Sequence, residues 1–212
     1  MLKERIDKLK TDVLRLATVV ENMLKDTVTA VYSRDHISAN NIITNLEELV
    51  NRRETENERN FIEFLALFQP EAVDLRTVVS LLKMNNTLER IADHCVNIVQ
   101  RIPSFVSIKY YKTLDAMFET TERMFRGSFD AMADNDSGRL KQIIAQDRIV
   151  DNDLKRLTDE VIATMDGTVP VSDNAISALL IGRDLERIAD LTTNICEDII
   201  YMLEGEMIKH RH

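Results

Sequence analysis

The sequence predicts an all-α chain of six long helices, grouped as two tandem three-helix bundles, on three observations. Gly 5 and Pro 3 in 212 residues are about a third of the ~12% those residues average together, so turns are few and the segments between them long. Apolar residues recur at steps of three and four through most of the chain, the period of a helix with one buried stripe. The hexapeptide Leu88-Glu89-Arg90-Ile91-Ala92-Asp93 returns unchanged as Leu185-Glu186-Arg187-Ile188-Ala189-Asp190.

The first helix begins at Leu2 and carries Ile6, Leu9, Val13, Leu16, Val20 and Met23 on one stripe. It ends near Ser33-Arg34-Asp35, where Asp35 is placed to accept from the free amides that open the second helix. The second runs to about Gln69-Pro70. Pro70 is expected to close it and to sit in the first turn of the third, because the residue before a proline leaves helical geometry while a first turn has no use for the missing N–H. The third helix reaches Arg101, and Ile102-Pro103-Ser104 is the clearest break in the chain. Tyr110 to about Met132 forms the fourth, with Leu114, Met117, Thr121, Met124 and Phe125 in its stripe. Asp136-Ser137-Gly138 starts the fifth, which carries Leu140, Ile143, Val150, Leu154, Leu157 and Val161 and stops at Asp166-Gly167-Thr168, a glycine C-cap. After Pro170, Ser172 is the expected N-cap of the sixth, which runs to Leu203-Glu204-Gly205.

The repeat extends beyond the hexapeptide. Asn97-Ile98 recurs as Asn194-Ile195 at the same offset of 97, while Pro70 and Pro170 lie 100 apart, so the second copy is three residues shorter between proline and motif. Two copies of a three-helix unit account for this, one over residues 1–103 and one over 104–212.

Composition narrows the function. Lys+Arg 27 against Asp+Glu 36 leaves a formal charge of -9, which disfavours coating a phosphate backbone, so no nucleic-acid partner is expected. Hydrophobic content of 44% supports a real core. Apolar runs such as Phe64 to Phe68 or Ile199 to Leu203 stop far short of the ~18 residues a bilayer span needs. Met1 to Asp7 mixes both charge signs, unlike a secretory signal, and Cys95 and Cys196 form neither a Cys-x-x-Cys pair nor a disulfide framework, so a reducing cytoplasm is expected.

On a helix, residues four apart project from nearly the same side, so Glu89, Asp93 and Asn97 form one oxygen-bearing row and Glu186, Asp190 and Asn194 its twin. The apolar stripe Leu88, Ile91, Cys95 and Ile98 is centred about opposite Asp93, which turns the row away from the bundle core. Asp147 and Asp151 on the fifth helix and Glu47 and Asn51 on the second repeat the spacing of four and match each other at the proline offset of 100. Side by side, neighbouring helices would gather these oxygens into one outward patch per half. Hard oxygen ligands suit Mg²⁺, Ca²⁺ or Mn²⁺, and bridging carboxylates also hold ferric or zinc ions. Set against this, 36 acidic residues produce many such pairs on solvated faces, and like-charge pairs cost only ~0.2 to 0.5 kcal/mol, so energetics alone do not demand a cation. Arg90 and Arg187 can also pair locally with these acids.

No Glu-x-x-His occurs, so an inward-facing di-iron site of the ferritin kind is the weaker reading. His94 is read as a lone surface histidine, since its counterpart is Leu191; Cys95 falls in the apolar stripe and is read as core; His210 and His212 are given no role. No nucleophile elbow, phosphate loop or dinucleotide fingerprint is present.

Gln69-Pro70-Glu71-Ala72-Val73-Asp74-Leu75-Arg76, the two Leu-Glu-Arg-Ile-Ala-Asp segments and Tyr201-Met202-Leu203-Glu204-Gly205-Glu206-Met207-Ile208-Lys209-His210 together resemble the PhoU family of bacterial phosphate uptake, over nearly the whole chain. The resemblance implies two three-helix bundles with multinuclear metal clusters on their surfaces, of iron or zinc, with Mg²⁺ or Mn²⁺ as cellular alternatives. Carried over by position, the ligands are Glu47, Asn51, Glu89, Asp93, Asp147, Asp151, Glu186 and Asp190, with Asn97 and Asn194 matching the asparagine that follows the motif. It also implies a non-enzymatic negative regulator that links the phosphate ABC transporter to a sensor histidine kinase, a homodimer, cytoplasmic and peripheral to the inner face of the membrane. Three departures stand out: Asn51 replaces a usual aspartate, Leu191 replaces a common histidine, and the second half lacks the Asp-Leu-Arg segment. The competing reading is a carboxylate-bridged metalloenzyme, redox or phosphatase-like; a third is a purely structural helical scaffold.

Overall fold

The computed structural model describes residues 2–104, 111–163 and 173–205. Among them the chain forms α1 (Leu2–Ser33), α2 (His36–Asn41), a π-helical turn (Ile42–Leu46), α3 (Glu47–Phe68), α4 (Ala72–Gln100), a 3-10 turn (Ile102–Ser104), α5 (Lys112–Asp134), α6 (Ser137–Ala163) and α7 (Asp173–Glu204), with no strand among the described residues. The segment α2, π turn and α3 is one continuous helical run, so the six long helices are those expected, the second with one widened turn.

The stripes read from periodicity are the buried ones. Val13, Leu16, Val20 and Met23 of α1, and Leu114, Met117, Thr121 and Met124 of α5, are fully inaccessible to solvent. Helix ends follow local chemistry: the Ile37 N–H donates to Asp35 Oδ1 at 2.9 Å, and the Arg139 N–H donates to Asp136 Oδ1 at 2.9 Å. Gly205, with φ +79, takes the left-handed geometry that ends α7. Pro70 departs from expectation. Left-handed Gln69 (φ 42) turns the chain out of α3 and α4 starts only at Ala72, with Glu71 as its N-cap, so the proline precedes the helix instead of sitting in its first turn. The glycine cap expected at Gly167 and the N-cap expected at Ser172 lie outside the described residues.

Helices α4 and α7 occupy the middle. α4 packs on α1 and α3, α7 packs on α5 and α6, and α4 and α7 pack on each other. Among the polar pairs that cross that seam are Lys83 to Asp198 and His94 to Asp184, in opposite order along the two helices, so α4 and α7 are antiparallel. The motif-bearing helices of both halves therefore lie back to back, each with its acidic row toward the partner helix of its own half.

Candidate functional site

In the first half, α4 supplies Glu89 and Asp93, and α3 supplies Glu47 and Glu54. The stripe Leu88, Ile91, Cys95 and Ile98 is wholly buried, which fixes the rotation of α4 and leaves Glu89 half-buried in the groove toward α3 and Asp93 exposed. Burial, then the negative charges of Asp93, Glu54 and Glu47, raise the Glu89 carboxyl above the usual carboxylate range, with Arg90 opposing. Negative charges from both helices thus act on Glu89. Glu54, seven residues after Glu47 on the same helix face, also acts on Glu89, although it falls outside the spacing of four. Asn85 Nδ2 lies 3.0 Å from the Glu54 carbonyl and 3.3 Å from its Oε1, which holds that side chain in the groove. Asn51 is exposed and Asn97 half-buried. The π turn ends immediately before Glu47 and so sets the rotation at which this row leaves it.

The second half repeats the arrangement with changes. Burial and Asp190, then Asp151 from α6, raise the Glu186 carboxyl, opposed by Arg187 and Arg183. Arg187 reaches back to Asp190 Oδ2 at 3.2 Å and Glu186 Oε2 at 3.6 Å, so the local pairing considered for this arginine is realised. With Arg187 60% exposed, these pairs add little stability. Asp151 is half-buried and Asn194 exposed. Asp147 corrects the outward-patch expectation by its depth: it is 2% exposed, buried in the packing of α6. The spacing of four put it on the Asp151 side, but Val150 and Leu157 are fully buried and roll that side of α6 partly inward.

His94 is a second correction. It is not a lone surface residue: its Nδ1 donates to Asp184 Oδ1 at 2.9 Å across the seam, and Arg101 Nε stands 3.7 Å from Asp184 Oδ2. No pattern along the chain announces this pair, because it joins residues 90 apart in sequence.

The donor set consists of carboxylate and amide oxygens, which is the chemistry of a hard cation, and a cation between the helices would offset the burial and the neighbouring charges that raise Glu89 and Glu186. As placed, no three His, Cys, Asp or Glu side chains among the described residues come close enough to hold a metal ion. Holding a cation would require these partly exposed carboxylates to rotate about their own side-chain bonds.

A sequence model of the PhoU domain matches residues 13–102 and again 114–199. The chain belongs to the PhoU family. The two matched stretches coincide with the two three-helix units, each containing one LERIAD row. A PhoU homolog of the phosphate-specific transport system from Caulobacter vibrioides is 31% identical over 208 residues, covering 96% of this chain and 90% of that protein. The accessory protein PhoU of Escherichia coli is 27% identical over 208 residues, covering 97% and 86%. The crystal structure of the phosphate transport system regulatory protein PhoU from Streptococcus pneumoniae superposes with a TM-score of 0.91 at 25% identity, covering 99% of this chain and all of that one. No helix among the described residues is long and apolar enough to cross a membrane.

Proposed function

We propose that this PhoU-family chain is a metal-binding regulatory adaptor of phosphate uptake, which restrains the phosphate-starvation response by linking a phosphate-specific ABC transporter to a sensor histidine kinase at the cytoplasmic face of the membrane. The accessory role rests on the relatives, which are described as accessory proteins of the phosphate-specific transport system. The metal reading is supported by one observation: in each half, burial and then the negative charges of neighbouring acids on the same and a second helix raise Glu89 and Glu186. Glu47, Glu54, Glu89 and Asp93 would hold a cation in the first half, with Asn51 and Asn97 at its edge. In the second half Asp151, Glu186 and Asp190 take that part, beside Asn194. When bound, a cation would offset part of the negative charge of each acidic strip and so change the face it offers a partner.

The test is elemental analysis of purified protein, repeated on Glu89→Ala/Asp93→Ala and on Glu186→Ala/Asp190→Ala. Each pair is expected to lose the metal of its own half, and unchanged content in both defeats the assignment. For the adaptor role, a phosphate-responsive reporter in cells lacking the protein should be active in phosphate-replete medium and silenced by the wild-type chain. The same purified samples assayed for metal-dependent phosphatase or redox turnover separate this reading from a metalloenzyme.

A further inference from the structure

The first turns of α1 and the last turns of α3 do not close on each other. Between them lies a cavity of about 100 Å³, walled by Leu9 and Phe64, which are 6% and 4% exposed, and by Phe68, whose ring stacks on Phe64 at 5.0 Å between centres. Leu67 stands on the lip, 67% exposed. An apolar void of about 150 Å³ takes up benzene, so this one has room for a single branched aliphatic or phenyl side chain. It opens on the α1 side of α3, whereas the acidic row faces α4, and no cation is needed to fill it.

The same level of the second half is bridged. The left-handed residue and N-cap at Arg34 and Asp35 recur as Asn135 and Asp136, an offset of 101 that pairs Asp12 with Thr113, while the proline offset of 100 pairs Asn60 with Glu160. Thr113 Oγ1 donates to Glu160 Oε1, tying α5 to α6. In the first half Asp12 turns to Arg15 at 3.3 Å, and Asp12 and Asn60 line the open space. The cavity thus follows from a sequence difference between the two copies.

Its rim is charged. Arg5 and Lys8 are exposed on the α1 side, and among the described residues no acid pairs with either. Around them Lys3, Arg5, Lys8 and Lys10 outnumber Glu4 and Asp7, in a chain of net charge -9. We propose that the cavity is a docking point for a helix of a partner protein that carries one Leu or Phe anchor with acidic residues a turn away. The anchor enters between Leu9 and Phe64, the acids meet Arg5 and Lys8, and Leu67 covers the seated side chain. Glu63, exposed on the opposite rim, disfavours an anionic bilayer, which would present negative charge to both sides; a helix carries its acids on one side alone.

The probe is a short, labelled, alanine-based helical peptide with one central Leu and Glu one turn to either side, titrated with the full chain and followed by fluorescence anisotropy. Control peptides replace the Leu by Ala, or each Glu by Lys. The Leu/Glu peptide should bind saturably, about tenfold or more tightly than either control, and more weakly as salt is raised. Arg5→Glu/Lys8→Glu should turn the preference toward the Lys peptide. Asp12→Thr/Asn60→Glu, which copies the bridge of the second half, should abolish binding without loss of thermal stability. Leu67→Ser, at an exposed position, should weaken binding about tenfold and keeps the outcome readable if the bridged variant misfolds. Absence of saturable binding overturns the proposal, and so does equal binding of the Ala control, since charge alone then acts. Sedimentation that finds pairs of the chain split by Leu67→Ser would give the cavity to a second copy, and flotation with phosphatidylglycerol vesicles lost in Leu67→Ser would give it to a bilayer; either result overturns it. None of these readouts depends on bound metal or on the phosphate-responsive reporter, so failure here leaves the proposed function standing.

Discussion

Asn57 donates its Nδ2 to Asn85 Oδ1 at 2.9 Å in the buried interface of α3 and α4, where the second half has Leu157 packed on Gly182. The positions correspond by the repeat offsets of 100 and 97. A Cβ at Gly182 would lie 2.5 Å from Leu157 Cδ2 and 3.2 Å from Leu154 Cδ1, and Leu154 in turn is the equivalent of Glu54. One half thus closes the helix pair below its acidic row with a polar lock, the other with apolar contact over a missing side chain.

The two locks should fail differently. Gly182→Ala overpacks and should cost about 1 to 3 kcal/mol. Asn85→Ala strands the Asn57 amide in a buried site and should cost a similar ~1 to 3 kcal/mol. Urea titration of each variant measures this. A Gly182→Ala protein as stable as wild type shows that Leu157 yields freely and that the close approach is not a constraint.

Acid should stabilise the metal-free protein before it denatures it. Burial and neighbouring carboxylates hold Glu54, Glu89 and Glu186 above the ordinary value, and burial does so for Asp198 against the pull of Lys83. The folded state therefore binds these protons more readily than the unfolded chain, and their contribution is full below the ordinary carboxyl value of about 4.3 and lost as pH rises through the raised values. Asp35 and Glu204, held low by hydrogen bonds, act the other way and lose their contribution as pH falls below that ordinary value. Calorimetry of chelator-treated protein should show Tm rising as pH falls from neutrality toward the ordinary carboxyl value. Saturating Mn²⁺ should reverse the slope, because it binds the deprotonated rows; a flat metal-free profile contradicts the crowding.

Neither thiol should react in the native state. Cys95 and Cys196 are wholly inaccessible, burial pushes the Cys95 thiol up to about 12, and it pushes Cys196 in the same direction. A colourimetric disulfide reagent at pH 8 should titrate no thiol in folded protein and two after guanidinium is added. Fast labelling of one cysteine without denaturant would mean that the seam or the second bundle opens locally.

Arg76 ties the first half to the end of the second. Its guanidinium lies 5.9 Å from the centre of the Tyr201 ring and against the backbone of Gly205, where a Cβ would come 2.7 Å from Nη1. Arg76→Ala removes this contact and a cation at the C-terminal end of α7, at a cost of about 1 kcal/mol. Gly205→Ala should cost at least as much, since φ +79 is strained for alanine and the arginine must also move. Thermal melts of both variants check it, and a neutral Arg76→Ala removes the role assigned to the contact.

The two segments that carried the family resemblance in the first half and at the chain's end meet in that contact, which neither segment announces alone. Helix number, the buried stripes, the cap at Asp35 and the helix boundaries at Asp136 and Gly205 were legible in the chain, because each depends on residues within one helix. Glu54 was also within reach, at seven residues from Glu47 on the same face. The burial of Asp147, the His94–Asp184 bond, the position of Pro70 ahead of α4 and the contrast between Asn85 and Gly182 came only with the tertiary structure. Periodicity assigns a residue to a side of its own helix; how deeply that side sinks, and which side chain of another helix it meets, depends on the antiparallel docking of α4 on α7, and that docking is the sum of many weak contacts between residues far apart in sequence.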